Sequence, residues 1–222
     1  MNLVVKRLLT ILVLCMYLTV SRPDEAAIGI DSSVGSFSSL DKSAVEVFED
    51  LARHAHVTIG VSGFVVAGHK REERKVSIDV DGKSLREVLD AICRQDLDYK
   101  WRQFSDHGID VRLGPHPLTL TDVPIVNLSM EDVSPPNVLG LVFHLPEVKL
   151  WEQTNGCRVG HPMIINGNPR SDTGWTVTLK LHNKPFWKIL NDLSVKSQSY
   201  FWSAIGSSGS SCYVFLDIPN GN

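Results

Sequence analysis

The sequence predicts an α+β protein of two tandem repeats, each with two helices packed on small β-sheets in the order β-α-β-β-α-β-β. One reason is an internal alignment, because residues 75–101 match residues 176–202 without a gap. A second is that the spacing of apolar residues changes from 2 to 3.6 and back within each copy. The third is the composition, 43% hydrophobic and 21% charged, which is typical of a folded globular protein.

The alignment has a constant offset of 101 residues and retains what a shared core requires. Five aligned pairs are identical, and several positions between them stay apolar although the residue changes, as in Ile78/Leu179 and Val88/Ile189. A duplication explains this agreement better than chance does. The identical pairs are Val76/Val177, Lys83/Lys184, Leu89/Leu190, Tyr99/Tyr200 and Trp101/Trp202.

In the first copy, a helix is predicted after Ser43, which forms a capping box with Glu46, and a strand follows at Val57 to Val61. Alternating apolar residues then predict a strand at Val76 to Val80. A second capping box, Ser84 with Glu87, starts the helix Leu85 to Gln95, and two alternating strands end near Leu113.

In the second copy, a short strand Pro124 to Leu128 leads to a helix with Ser134 as N-cap, at an offset of 91 from the first copy. A strand is predicted at Val148 to Trp151, and the second helix at Pro185 to Lys196. The change of offset predicts about ten extra residues, placed in a long Gly-, Pro- and Asn-rich loop at 153–174.

The start of the chain has the pattern of an export signal. Lys6 and Arg7 precede a 13-residue apolar run, Leu8 to Val20, which is short for a membrane span. We therefore expect an exported, periplasmic protein, either soluble or held at the inner membrane by an uncleaved N-terminal segment. The predicted organisation starts with a signal peptide or signal anchor at 1–21, followed by a linker at 22–39 that contains a weak first strand near Ala27 to Ile30. A first domain at 40–115, a linker at 116–123 and a second domain at 124–218 follow.

The segment VSIDVDGKSLREVLDAICRQDLDYKW, followed by the strand GIDVRL, resembles the secretin and TonB short N-terminal domain. The resemblance lies in a strand before a polar turn, the helix pattern L-x-x-V-L-x-x-I and the D-Y-x-W strand. It covers residues 40–113 and, as a diverged copy, 124–217. It implies a periplasmic module that contacts protein partners in the cell envelope, here without the pore or receptor barrel of that family.

The cysteines indicate at most one internal disulfide beyond the signal segment. Cys93, Cys157 and Cys212 remain there, and an odd number cannot all pair. Cys93 falls on the apolar face of a predicted helix, where a free thiol behaves as a small hydrophobe. Cys157 and Cys212 are the candidates for a disulfide, although spacing alone does not place them close together.

No catalytic motif is complete, so we expect no enzyme and no cofactor. Gly82-Lys83-Ser84 lacks the upstream glycine of a phosphate-binding loop and fits a turn with a helix cap. Gly60-Val61-Ser62-Gly63 has Phe64 where a nucleophile elbow needs glycine. The net charge of -3 gives no electrostatic basis for nucleic-acid binding.

The alternative to a protein-interaction module is a periplasmic metal or small-ligand sensor. His54 and His56 have the spacing that lets two imidazoles share one side of an extended segment, but no third ligand is close in sequence, and a sensor would need His69 to come within coordination distance of them. Solvated or locally bonded histidines explain the same pattern, so we expect no metal site.

Comparison of outward positions in the two copies selects candidate partner-binding residues. Arg86, Lys100, Asp110 and Arg112 of the first copy correspond to Trp187, Phe201, Tyr213 and Phe215 of the second. Such aromatic residues need a cover, because exposed apolar patches of several hundred Å² are uncommon on monomers. The cover is either intramolecular, from the long loop or the first copy, or a protein partner.

Overall fold

A computed structural model describes residues 29–66, 74–105, 108–115, 118–133, 135–160, 176–208 and 211–219. These residues form a mixed α/β structure with five α-helices and ten strands. The strands are β1 Phe37–Ser43, β2 Thr58–Val66, β3 Lys75–Val80, β4 Tyr99–Ser105, β5 Gly108–Leu113, β6 Pro124–Val133, β7 Cys157–Gly160, β8 Val177–Pro185, β9 Phe201–Ser208 and β10 Cys212–Asp217. The helices are α1 Ala44–Ala55, α2 Leu85–Gln95, α3 Pro135–Phe143, α4 Pro146–Asn155 and α5 Phe186–Lys196, with a 3₁₀ helix at Thr119–Asp122.

Helices α1 and α2 begin where the sequence predicts them. The Ser43 hydroxyl accepts the N–H of Glu46, whose carboxylate accepts the N–H of Ser43, and Ser84 and Glu87 do the same at α2. Each helix places one apolar stripe into the core. The buried residues include Val47, Phe48 and Leu51 of α1 and Leu85, Val88, Leu89 and Ile92 of α2.

The strands form three sheets. Two are antiparallel pairs, β1 with β3 and β6 with β8. The third has six strands in the order β4-β5-β2-β9-β10-β7. Within it β5, β2 and β9 are mutually parallel, β4 is antiparallel to β5, β10 is antiparallel to β9, and β7 is parallel to β10.

The six-stranded sheet carries one hydrophobic core on each face. Ile59 and its register partners Ile109 and Phe201 lie on one face, which we call the α1 face because α1 and α2 pack there. Trp202 and Val214 lie on the other, the α5 face, which is covered by α4 and α5. We call β4, β5 and β2 the first half of this sheet and β9, β10 and β7 the second half. Strands at equivalent places in the two halves run in opposite directions. The helices of the first half lie on the α1 face and those of the second half lie on the α5 face.

The two halves meet where β2 runs beside β9, with Ile59 opposite Phe201 and Gly60 opposite Trp202. A Cβ on Gly60 would lie 2.0 Å from Cζ2 of Trp202, so only glycine leaves room for the indole. The reverse arrangement occurs further along, where the Phe64 ring occupies the space above Gly206. Side chains of each strand therefore fill gaps in the other.

The strand predicted at Val148 to Trp151 is wrong, because these residues belong to helix α4. Pro146 favours the first helical turn, and Gly156 ends the helix in the left-handed conformation. Val148 and Trp151 are three residues apart, so they share the buried side of the helix, while Leu150 is 64% exposed. The strand of this region is β7, inside the predicted loop 153–174, whose residues from 161 lie outside the described part.

Two further boundaries differ from the sequence prediction. Among the described residues the first strand is β1, and Gly29 and Ile30 of the weak strand predicted at Ala27 to Ile30 form no strand. The β1 sequence FSSLDKS has few strong β-formers, although Phe37 and Ser39 alternate as buried residues. The segment expected as a linker at 116–123 contains the 3₁₀ helix, with Leu118 and Leu120 buried in the second core.

The predicted signal segment 1–21 lies outside the described residues. Among the helices that are described, none combines the length and the apolar character needed to span a membrane.

Candidate protein-binding face

Phe201 does not lie on an outer surface, so that part of the predicted set is wrong. Its side chain is 1% exposed and belongs to the first core, although β9 comes from the second half of the chain. Pairing of β9 with β2 brings Phe201 under α1, opposite Ile59. The intramolecular cover considered above is therefore what buries this residue.

Trp187 lies apart from the other predicted residues. It is half-buried on α5 and its ring is 4.5 Å from that of Phe104, centroid to centroid. This contact places it on the α5 face, against the second core. Trp187 thus covers part of the first half of the sheet and does not join an exposed aromatic surface.

Tyr213 and Phe215 do form an exposed pair. They are 43% and 44% exposed, and their rings stack with centroids 6.4 Å apart and an interplanar angle of 17°. Alternation along β10 explains this, because Val214 and Leu216 point into the second core and the residues between them point to the other face. We call Tyr213, Phe215 and the half-buried Ile205, which is opposite Phe215 in register, the aromatic face.

The neighbours of the aromatic face are polar or small. On β7, Arg158 is opposite Tyr213 and Gly160 is opposite Phe215. Towards α1, Asp217 faces Glu49, and burial raises the pKa of Glu49, with the negative charge of Asp217 adding to this and Arg53 opposing it. An apolar centre with a charged rim is the usual layout of a protein-binding surface.

Cys157 and Cys212 form a disulfide in the structure. They are opposite each other in the parallel pair β7 and β10, with Cα atoms 4.4 Å apart. The bond joins the four-residue strand β7 to the strand that carries the aromatic face. It therefore holds Gly160 and Arg158 beside Phe215 and Tyr213.

The outward residues of the first copy, Arg86, Lys100, Asp110 and Arg112, are charged, and three of them form ion pairs. The carboxylate of Asp110 is buried and accepts from Arg102 at 2.7 Å and from Arg112 at 3.1 Å. Arg86 pairs with Asp31 at 2.7 Å and lies 5.7 Å from the Trp101 ring. Lys100 is exposed.

A cavity of about 280 Å³ lies between the two halves of the sheet on the α5 face. Its lining residues are Arg102, Gln103, Phe104, Asp110, Thr121, Asp122, Trp187 and Trp202. The carboxylate of Asp110 is already bonded to two arginines, and the Trp202 N–H is bonded to Asn191. Small-molecule sites are usually larger than this cavity.

The candidate metal ligands are placed in separate local contacts. The His54 Nε2 atom lies 2.7 Å from the carbonyl oxygen of Val34, and the His56 ring stacks on Tyr200 at 5.2 Å. His69 lies outside the described residues. Among the residues that are described, no three His, Cys, Asp or Glu side chains form a group able to hold a metal ion.

The residues that sequence motifs suggested for chemistry, Lys83 and Ser84, have structural roles, and Cys93 is partly buried. Ser84 caps α2, as described above, and Lys83 pairs with Glu87 at 2.9 Å. Burial, with smaller contributions from Asp90 and Asp96, raises the pKa of the Cys93 thiol to about 12. The thiol therefore stays protonated at neutral pH, and the thiolate is the nucleophilic form.

Sequence reasoning missed Ile205, Arg158 and Gly160 as members or neighbours of this face. Their positions beside Tyr213 and Phe215 follow from the register in which β7 and β9 pair with β10, and the sequence does not give this register. The alternation of apolar residues in β10 was the signal that identified Tyr213 and Phe215. No protein-family model matches the chain, and none of the curated proteins matches it in sequence.

Proposed function

We propose that this chain is a non-catalytic protein-interaction module, acting after export in the periplasm as an assembly component of a secretion or signalling system. The observation that carries the proposal is the stacked pair Tyr213 and Phe215 on the β10 part of the α1 face, where both rings are exposed. Aromatic residues dominate the energetics of protein interfaces. The resemblance to the secretin and TonB short N-terminal domain supports the periplasmic setting.

The proposal includes the tandem duplication, which matching backbone irregularities support. Asp41 in β1 and Asp132 in β6 both have positive φ, 52° and 51°, at a break in strand register. The N–H of Asp41 donates to the Ser77 hydroxyl at 2.9 Å, and that of Asp132 donates to the Thr178 hydroxyl at 3.2 Å. A left-handed aspartate with the same hydrogen bond in both halves is hard to obtain by chance.

A tertiary hydrogen bond gives independent support. The indole Nε1 of Trp101 donates to Oδ1 of Asp90 at 2.8 Å. The indole Nε1 of Trp202 donates to Oδ1 of Asn191 at 2.5 Å. Asn191 and Trp202 lie 101 positions after Asp90 and Trp101, and 101 is the offset of the sequence alignment.

The turn before the second helix of each copy supports the same offset. Gly82 has φ 66° and Asn183 has φ 49°, and both are followed two residues later by the N-cap of α2 or α5. Glycine and asparagine are the residues that adopt the left-handed conformation most readily. The alignment therefore pairs residues with the same backbone requirement.

The extra residues of the second copy fit within its helical segment, not in the loop 153–174. The helical segment begins after Ser43 in one copy and Ser134 in the other, at an offset of 91. It ends at His56 and Gly156, both left-handed caps, at an offset of 100. Together α3 and α4 thus take the place of α1.

Capture of partners by the whole chain tests the proposed function. A Tyr213→Lys/Phe215→Lys variant should fold as the wild type does and lose the partner that wild-type protein retains from an envelope extract. The matched control is Val126→Lys/Leu150→Lys, which changes two other exposed apolar residues, 51% and 64% exposed. Equal capture by both variants would contradict the proposal, as would an enzymatic activity unaffected by the aromatic substitutions.

A further inference from the structure

The internal junction between β2 and β9 has a recognisable residue pattern. One strand contributes Ile59 followed by Gly60, and the other contributes Tyr200, Phe201 and Trp202. The N–H of Ile59 donates to the carbonyl of Tyr200 at 2.9 Å, and the Trp202 indole occupies the gap above Gly60.

The same pattern occurs on the two strands that are outermost in this sheet within the described part of the chain. Strand β7 ends with Val159 followed by Gly160, 100 residues after Ile59 and Gly60. Strand β4 begins with Tyr99, Lys100 and Trp101. Among the described strands, each of the two edge strands therefore has one of the two patterns that meet in the middle of the sheet.

Strand directions permit the two edges to pair. Successive pairings give β4 and β7 the same direction in the sheet, because both are opposite to the parallel set β5, β2 and β9. A second copy placed beside the first without rotation would bring its β4 alongside β7 in parallel. Parallel pairing is also what β2 and β9 adopt.

We infer that a second copy of this chain docks head-to-tail, with its β4 in parallel beside β7 and its Trp101 over Gly160, and thereby covers the aromatic face. This rests on the proposed function, because it names the partner of the same face. In the register of the internal junction, Lys100 is opposite Val159 and Trp101 is opposite Gly160. The argument is continuity with the β2 and β9 interface.

Gly160 has the space that the docking requires. No atom of the described residues lies within 4 Å of a Cβ built on it, whereas the equivalent position at Gly60 is filled by Trp202. Gly160 is opposite Phe215, so an indole above it would contact the aromatic face. The Trp101 ring lies on the same face of the sheet as Val111 and is oriented by its bond to Asp90.

Charge complementarity supports the same register. Helix α4 ends at the cap Gly156 and helix α1 ends at the cap His56. Glu152 and Ala52 each lie four residues before these caps, so Glu152 of α4 corresponds to Ala52 of α1. Ala52 shares the first core with Phe201, which corresponds to Lys100. The apolar pair of the internal junction is thus replaced by a carboxylate and an ammonium group.

Glu152 also occupies the edge in the isolated chain. Its Oε1 accepts the N–H of Val159 at 2.6 Å, and this N–H corresponds to that of Ile59, which binds Tyr200. When a second copy docks, the N–H of Val159 bonds to the incoming strand, and the Glu152 carboxylate, which pairs with Lys149 at 2.7 Å through Oε2, gains Lys100 as a second cationic partner through Oε1. The backbone group stays satisfied in both states.

Such pairing is heterologous, since different surfaces of the two copies meet. Each added copy leaves one β7 edge and one β4 edge unpaired, so assembly does not stop at a dimer. A series of species larger than a dimer therefore distinguishes this mode from a symmetric dimer formed by two aromatic faces.

Sedimentation velocity of the whole chain over a range of concentrations tests the inference. Wild-type protein should form a concentration-dependent series, and Gly160→Leu should weaken it by about tenfold or more, the effect expected for loss of one central interface contact. Lys100→Glu should weaken it as well. Gly140→Leu, also in open space, and Lys180→Glu, also an exposed strand lysine, are the matched controls and should assemble as wild type does.

Mixing provides a second readout. The Gly160→Leu chain keeps an intact β4 edge, so small amounts of it should cap wild-type assemblies and lower their mean mass. A wild-type chain that stays monomeric at all concentrations would overturn the inference, as would a closed dimer that Gly160→Leu leaves unchanged. If the chain is monomeric but the Tyr213→Lys/Phe215→Lys variant still loses another partner, self-docking is wrong and the proposed function stands.

Discussion

At the scale of single residues, Trp101 and Trp202, which are paired in the sequence alignment, differ in their surroundings. Trp202 is 1% exposed and its N–H is bonded to Asn191, which is also buried. Trp101 makes the same bond to Asp90 but is half-exposed. Removing the acceptor leaves a buried donor unsatisfied only at Trp202, since water reaches Trp101.

We therefore expect Asn191→Ala to lower the free energy of unfolding by about 1 to 3 kcal/mol, the cost of a buried unsatisfied donor. Asp90→Ala should cost about 1 kcal/mol or less, because water replaces the lost acceptor. Urea unfolding monitored by tryptophan fluorescence measures both. Equal losses for the two variants would contradict the difference in burial.

The capping box of α2 gives a pH dependence with a definite sign. Hydrogen bonds from the Ser84 backbone, then from Lys83 and the Ser84 hydroxyl, lower the pKa of Glu87 from 4.5 to about 2. A folded pKa below the unfolded one stabilises the protein above pH 4.5, and this contribution is lost as the pH falls towards 2. Glu87→Gln should thus be less stable than wild type at pH 6, with the difference disappearing near pH 2. Denaturation midpoints across this range check it, and a pH-independent difference would argue against the charge.

At the scale of elements, β7 depends on its covalent link. The strand has four residues and pairs only with β10 among the described strands. The disulfide between Cys157 and Cys212 closes a loop with a sequence separation of 55 residues. Closing a loop of this size restricts the unfolded chain considerably.

Replacing both cysteines with serine should lower the free energy of unfolding by about 4 kcal/mol, according to the chain-entropy relation. The loss should be reproduced by adding a reductant to wild-type protein and should be absent when reductant is added to the variant. Thermal unfolding with and without reductant measures this. A reductant effect of the same size on the double variant would point to a different cause.

At the scale of the whole molecule, the β2 and β9 junction joins the two cores into one sheet. Phe201 belongs to the second half of the sequence but packs in the first core. Phe64 belongs to the first half of the sequence but packs against the second core. Each half therefore needs side chains from the other to complete its core. We expect the molecule to unfold as one cooperative unit.

Phe201→Ala should lower the free energy of unfolding by about 3 to 5 kcal/mol while keeping a single transition, since it removes a core side chain at the junction. Phe215→Ala should change it by only about 0.5 kcal/mol, as a surface substitution. Circular dichroism and fluorescence of the same urea titrations check both the size and the coincidence of the transitions. Two separate transitions in the wild type would show that the halves fold independently.

The sequence by itself determined those elements whose signals are local. Helices α1 and α2 begin at capping boxes because two hydrogen bonds between neighbouring residues suffice to define a helix start. The alternation in β10 determined that Tyr213 and Phe215 oppose the buried Val214 and Leu216. The apolar run Val148 to Trp151 was ambiguous, because four residues fit the period of a strand and of a helix alike.

Only the tertiary structure decided which outward-pointing residues stay exposed. Phe201 and Phe215 are both aromatic and both lie on the α1 face of the sheet, yet one is buried and the other is not. The difference comes from β9 lying beside β2 and beneath α1, a pairing between residues more than 130 positions apart. Strand pairing at such distance follows from the packing of two whole cores, and local periodicity contains no information about it.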